Sequence, residues 1–181
     1  QDRASDAALA SAPAGSRALG DFALSTGTRQ ALDKRGIKVL FPIQAATFAA
    51  IFDAGKDLLA RARTGTGKTL AFALPVVEKL LLDKATQRAP RALVLAPTRE
   101  LAAQIAAHAL ALLPEGHPAR GRAVCCVVGG LSEQKQERVL AKGPPIVVAT
   151  PGRLWELVDG GKAAPVRRAL EERTLRFLVL D

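Results

Sequence analysis

The sequence of 181 residues has no methionine, no tyrosine, one tryptophan and two cysteines. Six phenylalanines complete an aromatic content of 4%, so the core has to be assembled from Ala, Leu and Val. Methionine is missing even at position 1, which predicts an internal piece of a longer chain. The two cysteines are neighbours inside the apolar run Ala123-Val124-Cys125-Cys126-Val127-Val128. Adjacent cysteines rarely bridge each other, and a buried free thiol behaves as a small hydrophobe. The pair therefore predicts a buried strand in a reducing intracellular compartment, not a disulfide framework. No apolar run reaches the ~18 residues of a membrane span. Residues 1–20 lack the apolar stretch of a signal peptide. His108 and His117 have no second ligand at metal spacing.

What is present points elsewhere. Apolar residues make up 49% and charged residues 24%, which excludes wholesale disorder. Lys and Arg number 26 against 17 Asp and Glu, a net +9 that favours a polyanionic partner. The length suits one domain. Residues 1–20, rich in Ala, Ser, Gly and Pro, read as a flexible linker or tail before a domain at 21–181. A short helix is expected over 26–35, stopped by Gly36. Pro42 opens a second one through about residue 54, since proline suits the first helical turn.

From there the chain alternates. Apolar runs at 57–62, 91–96, 123–128, 146–149 and 175–180 predict strands. Helical patterns at 67–83, 99–113, 132–141 and 151–159 lie between them. The strand runs do not alternate with polar residues, as expected of a parallel sheet covered by helices on both faces. Repeated β-α-β order predicts an α/β, doubly wound fold. Ligands of such sheets bind outside the carboxyl ends of the strands. All five expected ends carry Gly, Pro or polar residues: Arg63 to Thr69, Pro97-Thr98-Arg99-Glu100, Gly129-Gly130, Thr150-Pro151-Gly152-Arg153 and Asp181. Trp155 is expected to pack under a helix. The basic cluster Arg167, Arg168, Arg173 and Arg176 is expected to form a solvated face.

The most specific signal is Ala62-Arg63-Thr64-Gly65-Thr66-Gly67-Lys68-Thr69, a phosphate loop between an expected strand and a helix. Gly65 and Gly67 let the backbone bend, and the helix N-terminus behind them is an anion site. Lys68 supplies a point charge to the β and γ phosphates, and the Thr69 hydroxyl suits Mg²⁺. The strict pattern begins with Gly where this sequence has Ala62. Asp181, directly after an apolar run, can hold Mg²⁺ through water or serve as a plain turn residue.

Taken together, these motifs resemble the DEAD-box RNA helicases, specifically the first of their two RecA-like domains. The phosphate loop of that family has the form A-x-T-G-x-G-K-T, matched from Ala62 to Thr69. Pro97-Thr98-Arg99-Glu100-Leu101, Gly129-Gly130 and Thr150-Pro151-Gly152-Arg153 match three more of its motifs in order. Val179-Leu180-Asp181 looks like the start of the motif that names it. The resemblance covers about residues 22–181. It implies a RecA-like domain whose last strands are missing here, ATP and Mg²⁺ as cofactors, and RNA as partner. It also implies a second RecA-like domain in the parent chain, without which this piece is expected to bind nucleotide weakly and not to turn over. The family's general base is the acid that would follow Asp181.

The resemblance also implies an adenine-reading segment, here Gly36-Ile37-Lys38-Val39-Leu40-Phe41-Pro42-Ile43-Gln44 preceded by Phe22. Gln44 would hydrogen-bond the adenine edge, since an amide donates and accepts at once. Phe22 would stack on the ring or be a plain core residue. Ile37 and Leu40 depart from the family's aromatic and proline. Pro97, Thr98, Arg99, Gly129, Gly130, Thr150, Pro151, Gly152 and Arg153 would contact RNA phosphates, giving sequence-independent, salt-sensitive binding. Leu40 to Gln44 echoes nucleolar and plant organellar branches. Ser132 to Gln136 with Arg153 to Leu157 echoes a nucleolar branch of large-subunit assembly, so ribosome biogenesis is the favoured setting. Two rival readings remain: another P-loop NTPase, and a truncated paralogue that binds RNA without catalysis.

Overall fold

The computed structural model describes residues 3–63, 65–82, 89–118 and 120–181. Thr64, expected to bind phosphate, and Asp83, the expected last residue of a helix, lie outside them. The chain divides into two compact units, one of residues 1–82 with 111–115 and the other of 83–110 with 116–181.

The first unit is mostly helical. It begins with α1 (Arg3–Ser11), then β1 (Arg17–Ala18) and α2 (Thr26–Lys34). Next come β2 (Val39–Leu40), α3 (Pro42–Phe48) continued by a π turn over Ala49–Asp53, and α4 (Lys68–Leu82). β1 and β2 pair antiparallel, Arg17 opposite Leu40 and Ala18 opposite Val39. Residues 3–20 therefore differ from the expected flexible tail. The same alanines that read as linker composition are the strongest helix formers, and Leu19 is buried. α3 packs on α4, and Leu32, Leu40, Phe48, Leu74 and Val77 of this unit are fully buried. Phe48 stacks on Phe52 with ring centroids 4.7 Å apart.

The second unit holds β3 (Ala92–Leu95), all of α5 (Arg99–Leu112) but its last two residues, β4 (Val124–Val127) and α6 (Glu133–Leu140). β5 (Ile146–Ala149), α7 (Pro151–Asp159), α8 (Ala164–Glu171) and β6 (Phe177–Leu180) complete it. The strands form one parallel sheet in the order β4-β5-β3-β6. Its central strands are apolar on both sides, as the unalternating runs require. Leu93, Cys125, Val127, Val147 and Ala149 pack with Leu140, Leu154, Leu157 and Val166 of the helices. α8 had no counterpart in the expected helices, and Arg167, Arg168, Arg173 and Arg176 are exposed as expected.

Two expectations fail. Residues 57–62 form no strand: the stretch is irregular, residues 57–61 are exposed and Leu59 is fully so. A strand needs a neighbour to take its N–H and C=O groups, and the parallel ladders among the described residues run only between β3, β4, β5 and β6. Trp155 is 69% exposed, because Leu154 and Leu157 take the buried side of α7.

Candidate nucleotide and nucleic-acid sites

In the first unit the phosphate loop turns through two left-handed glycines, Gly65 at φ 81° and Gly67 at φ 79°. That region is accessible to glycine at little cost. The Thr66 hydroxyl donates to Arg63 O at 2.8 Å and braces the turn. The chain then enters α4 at Lys68, which is exposed, with Ala62 and Thr69 half-buried. The first N–H groups of a helix have no intrahelical acceptor, so this end favours an anion. The loop follows an irregular stretch instead of the expected strand.

Gln44 is 6% exposed and ties the loop to α3. Its Oε1 accepts from Phe41 N at 2.8 Å, and its Nε2 donates to Gly67 O at 3.2 Å. The contact is so close that a Cβ on Gly67 would lie 2.2 Å from Nε2. Gln44 thus meets the phosphate loop through its own side chain, a partnership the sequence reading did not include. Phe22 is buried, with its ring edge-on to Phe48 at 5.3 Å. The Arg17 guanidinium lies 4.9 Å over the Phe22 ring and is held by Asp21 at 3.3 Å. This is the packing of a core residue; an adenine stacked on that face would have to displace Arg17.

Deeper in the unit, Glu78 of α4 is fully buried and accepts twice from Ser25, from N at 3.1 Å and from Oγ at 3.0 Å. Ser25 caps α2, its Oγ accepting from Thr28 N at 3.3 Å. The phosphate-loop helix thereby anchors the start of α2.

In the second unit the register places the strand ends in line. Leu95 is opposite both Ala149 and Leu180, and Val127 is opposite Ala149. Pro97 to Arg99, Gly129-Gly130, Thr150 to Gly152 and Asp181 therefore share the carboxyl edge. The Asp181 N–H extends the ladder by donating to Leu95 O at 3.0 Å, and the residue is exposed. Across the sheet the three expected RNA motifs follow β4, β5 and β3 as immediate neighbours, with the acid next, on β6.

These turns are organised by side chains. Thr98 Oγ1 accepts from Leu101 N at 3.2 Å as a helix cap. Pro151 is the first residue of α7 and Thr150 its cap position. The Arg99 guanidinium lies against Gly129 and Gly130, where a Cβ would meet it at 3.2 Å and 2.7 Å. Gln136 of α6 is buried and clamps the same turn: Oε1 accepts from Val128 N, and Nε2 donates to Val128 O and Leu131 O, each at 3.1 Å. The sequence reading missed this role; its only signal was a polar residue on the side of α6 that also buries Leu140. Arg153 is not open to the edge. Its Nη1 donates to Glu156 Oε2 at 2.9 Å and Glu133 Oε2 at 3.4 Å, and Lys162 pairs with the other oxygen of Glu133. Lys162, then Arg153, holds the Glu133 carboxyl below its ordinary range, and Glu133 raises Lys162. Cys125 and Cys126 both lie in β4, and burial pushes the Cys125 thiol up to about 12.

Among the described residues no helix is long and apolar enough to cross a membrane. No group of three or more His, Cys, Asp or Glu is gathered as for a metal among them.

Comparison with known proteins agrees with this arrangement. A family model for DEAD/DEAH box helicases matches residues 41–181. The chain is 44% identical over 176 residues to DEAD-box ATP-dependent RNA helicase 7 of Oryza sativa subsp. japonica, covering 93% of this chain and 24% of that protein. It is 41% identical to ATP-dependent RNA helicase DDX50 of Mus musculus, covering 91% of this chain and 21% of that one. It therefore spans about a quarter of the length of these curated relatives. Among solved structures, a DEAD box protein from the hyperthermophile Methanococcus jannaschii superposes with a TM-score of 0.72 at 25% identity, over 91% of this chain and 49% of that one. With a parallel sheet of RecA-like character, a glycine-turned loop at a helix N-terminus and a motif-bearing carboxyl edge, the chain belongs to the DEAD/DEAH box helicase family.

Proposed function

We propose that this chain is the ATP- and RNA-binding part of the first RecA-like domain of an ATP-dependent RNA helicase, which acts with a second RecA-like domain of the parent protein. The observation that carries the reading is the bond from Gln44 to Gly67 inside a loop whose glycines lead into α4. It joins the expected adenine-reading residue to the expected phosphate-binding turn. The donor set fits a nucleotide polyphosphate. Gly65, Thr66 and Gly67 shape the turn, Lys68 brings a cation, and the α4 N-terminus brings unsatisfied N–H groups. Ala62 and Arg63 lead into the turn. Thr69 is the residue of this unit that would hold Mg²⁺, which neutralises phosphate charge when bound.

RNA is expected to lie on the carboxyl edge of the sheet. Hydroxyls of Thr98 and Thr150, backbone N–H groups around Gly129, Gly130 and Gly152, and the helix N-termini that begin after Thr98 and at Pro151 suit phosphates and read no base. The net charge of +9 supports the same partner. A nuclear or nucleolar setting in ribosome biogenesis is the biological role favoured by the 132–136 and 153–157 segments.

The test is nucleotide binding by the chain, followed with a fluorescent adenine nucleotide in the presence of Mg²⁺. Binding competed by ATP and abolished by Lys68→Ala is the expected result. Binding that is indifferent to Lys68 removes the phosphate-loop assignment. RNA-stimulated phosphate release by the parent protein, lost in Asp181→Asn, tests the enzymatic half.

A further inference from the structure

Of the two arginines expected to face RNA, Arg153 is the one with its charge already matched. Its Nη1 donates to Glu156 Oε2 at 2.9 Å and to Glu133 Oε2 at 3.4 Å. The side chain is 13% exposed, whereas those of Glu133 and Glu156 are 40% and 63% exposed. Its Nε is buried and has no hydrogen-bond partner among the described residues. Lys162 pairs with the remaining oxygen of Glu133. The four side chains form a chain of alternating charge with no net charge, Lys162-Glu133-Arg153-Glu156.

The places these residues occupy give the network a task. Glu133 opens α6, directly after the turn built from Gly129, Gly130 and Leu131. Arg153 is the third residue of α7, directly after Thr150, Pro151 and Gly152. Lys162 lies in the turn between α7 and α8. The network therefore ties the helix behind one expected phosphate-binding turn to the helix behind the next. A phosphate approaching Arg153 would meet two carboxylates at its guanidinium, whose repulsion opposes the contact. It would find Nε shielded as well.

We propose that Arg153 is a positioning residue. Through Glu133, Glu156 and Lys162 it fixes the spacing of the Gly129-Gly130 and Thr150-Pro151-Gly152 turns, and it does not itself touch RNA. The proposal rests on reading those turns as the RNA face. It transfers the electrostatic part of the interaction to Arg99 and leaves the β4 and β5 ends to bind through hydroxyls, backbone N–H groups and helix dipoles.

Salt dependence separates the two roles. A cation that neutralises a phosphate contributes about 0.7 to the slope of log K against log salt for a single strand. The affinity of the chain for an oligouridylate is measured by fluorescence anisotropy across a salt series, for wild type, Arg153→Gln and Glu133→Gln. Arg153→Gln is expected to weaken binding several-fold with the slope unchanged. A slope reduced by about 0.7 in that variant assigns a direct phosphate contact and overturns the proposal. Glu133→Gln gives the opposite sign under the two roles. Removing a negative charge tightens binding if charge alone matters, and weakens it if the network sets geometry, so a tighter Glu133→Gln also overturns the proposal. Amide exchange supplies a readout without RNA. Both variants are expected to expose the Gly130 and Gly152 amides while Val147 in β5 stays protected; unchanged exchange at the two glycines counts against positioning. If Arg153→Gln does not fold, Glu133→Gln decides the question alone. A wild-type chain that binds no RNA at low salt removes the RNA-face reading, and the proposal with it. An altered slope in a chain that does bind removes the proposal alone.

Discussion

The Arg99 guanidinium lies so close over Gly130 that a Cβ there would stand 2.7 Å from Nη1. Gly130 is also left-handed, at φ 81°. Two motifs separated by thirty residues of sequence thus share one surface, and glycine is what permits it. Gly130→Ala is expected to cost about 1–2 kcal/mol from the backbone conformation alone. It should also push Arg99 aside and lower RNA affinity several-fold. Arg99→Ala should produce a similar loss of affinity. In the double variant the two losses should not add, because they act on one contact. Fully additive losses would show that the glycine acts independently of Arg99.

Gln44 and Gly67 stand in the same relation in the first unit. Gly67→Ala places a methyl group 2.2 Å from Gln44 Nε2 at a φ of 79°. The bond from Gln44 to Gly67 O cannot survive that approach, and ATP affinity is expected to fall at least tenfold. Gln44→Ala removes the same bond without straining the loop, so its loss should be smaller. It should also narrow any preference for ATP over GTP, read by competition against a fluorescent nucleotide. Equal competition by GTP in the unaltered chain would sink the adenine-reading role of Gln44 and leave it as a loop brace.

Glu78 offers a test of stability away from both sites. Glu78→Ala leaves the N–H of half-buried Ser25 without its acceptor, while the Ser25 hydroxyl keeps Thr28 Oγ1 at 3.1 Å; losing that acceptor and emptying the space of a fully buried side chain costs about 1–3 kcal/mol. Glu78→Gln keeps one acceptor oxygen and should lose less. Ser25→Ala removes the hydroxyl and with it the cap of α2, worth about 1 kcal/mol. Denaturant melts of the three variants should rank Glu78→Ala as the most destabilised. If Glu78→Ala melts like wild type, the Ser25 anchor contributes nothing.

The sequence made the carboxyl edge legible because parallel strands announce themselves as unalternating apolar runs, and four of the five expected runs are strands within two residues of the expected bounds. The fifth, 57–62, has the same look and no strand partner among the described residues. Composition shows that a stretch can be a strand, whereas pairing is a property of two stretches. Gln136 and Glu78 escaped for a related reason. A polar residue within a helix reads as a surface residue until the tertiary fold shows the turn or cap that it satisfies. Trp155 is a different case. Leu154 and Leu157, three apart, mark the buried side of α7, and the helical period turns residue 155 away from it.

Cys125 gives the pH dependence. Burial, with a smaller contribution from Cys126, raises its thiol from an ordinary value of 9.0 to about 12. A raised acid binds its proton more tightly in the folded chain than in the unfolded one. Its contribution to stability is whole below the unfolded value and is lost as pH climbs from about 9 toward 12. Three pH units correspond to roughly 4 kcal/mol at the upper limit. Cys125→Ala lacks this group, and it leaves only a small cavity. The stability of wild type relative to Cys125→Ala should therefore be constant up to about pH 8.5 and decline above it, measured by urea unfolding at a series of pH values. The same burial keeps the thiolate scarce near neutrality, so Cys125 should resist iodoacetamide in the folded chain and react once urea opens the sheet. Rapid native labelling at Cys125 would mean that β4 opens far more often than a strand with Cys125 and Val127 buried in the core should.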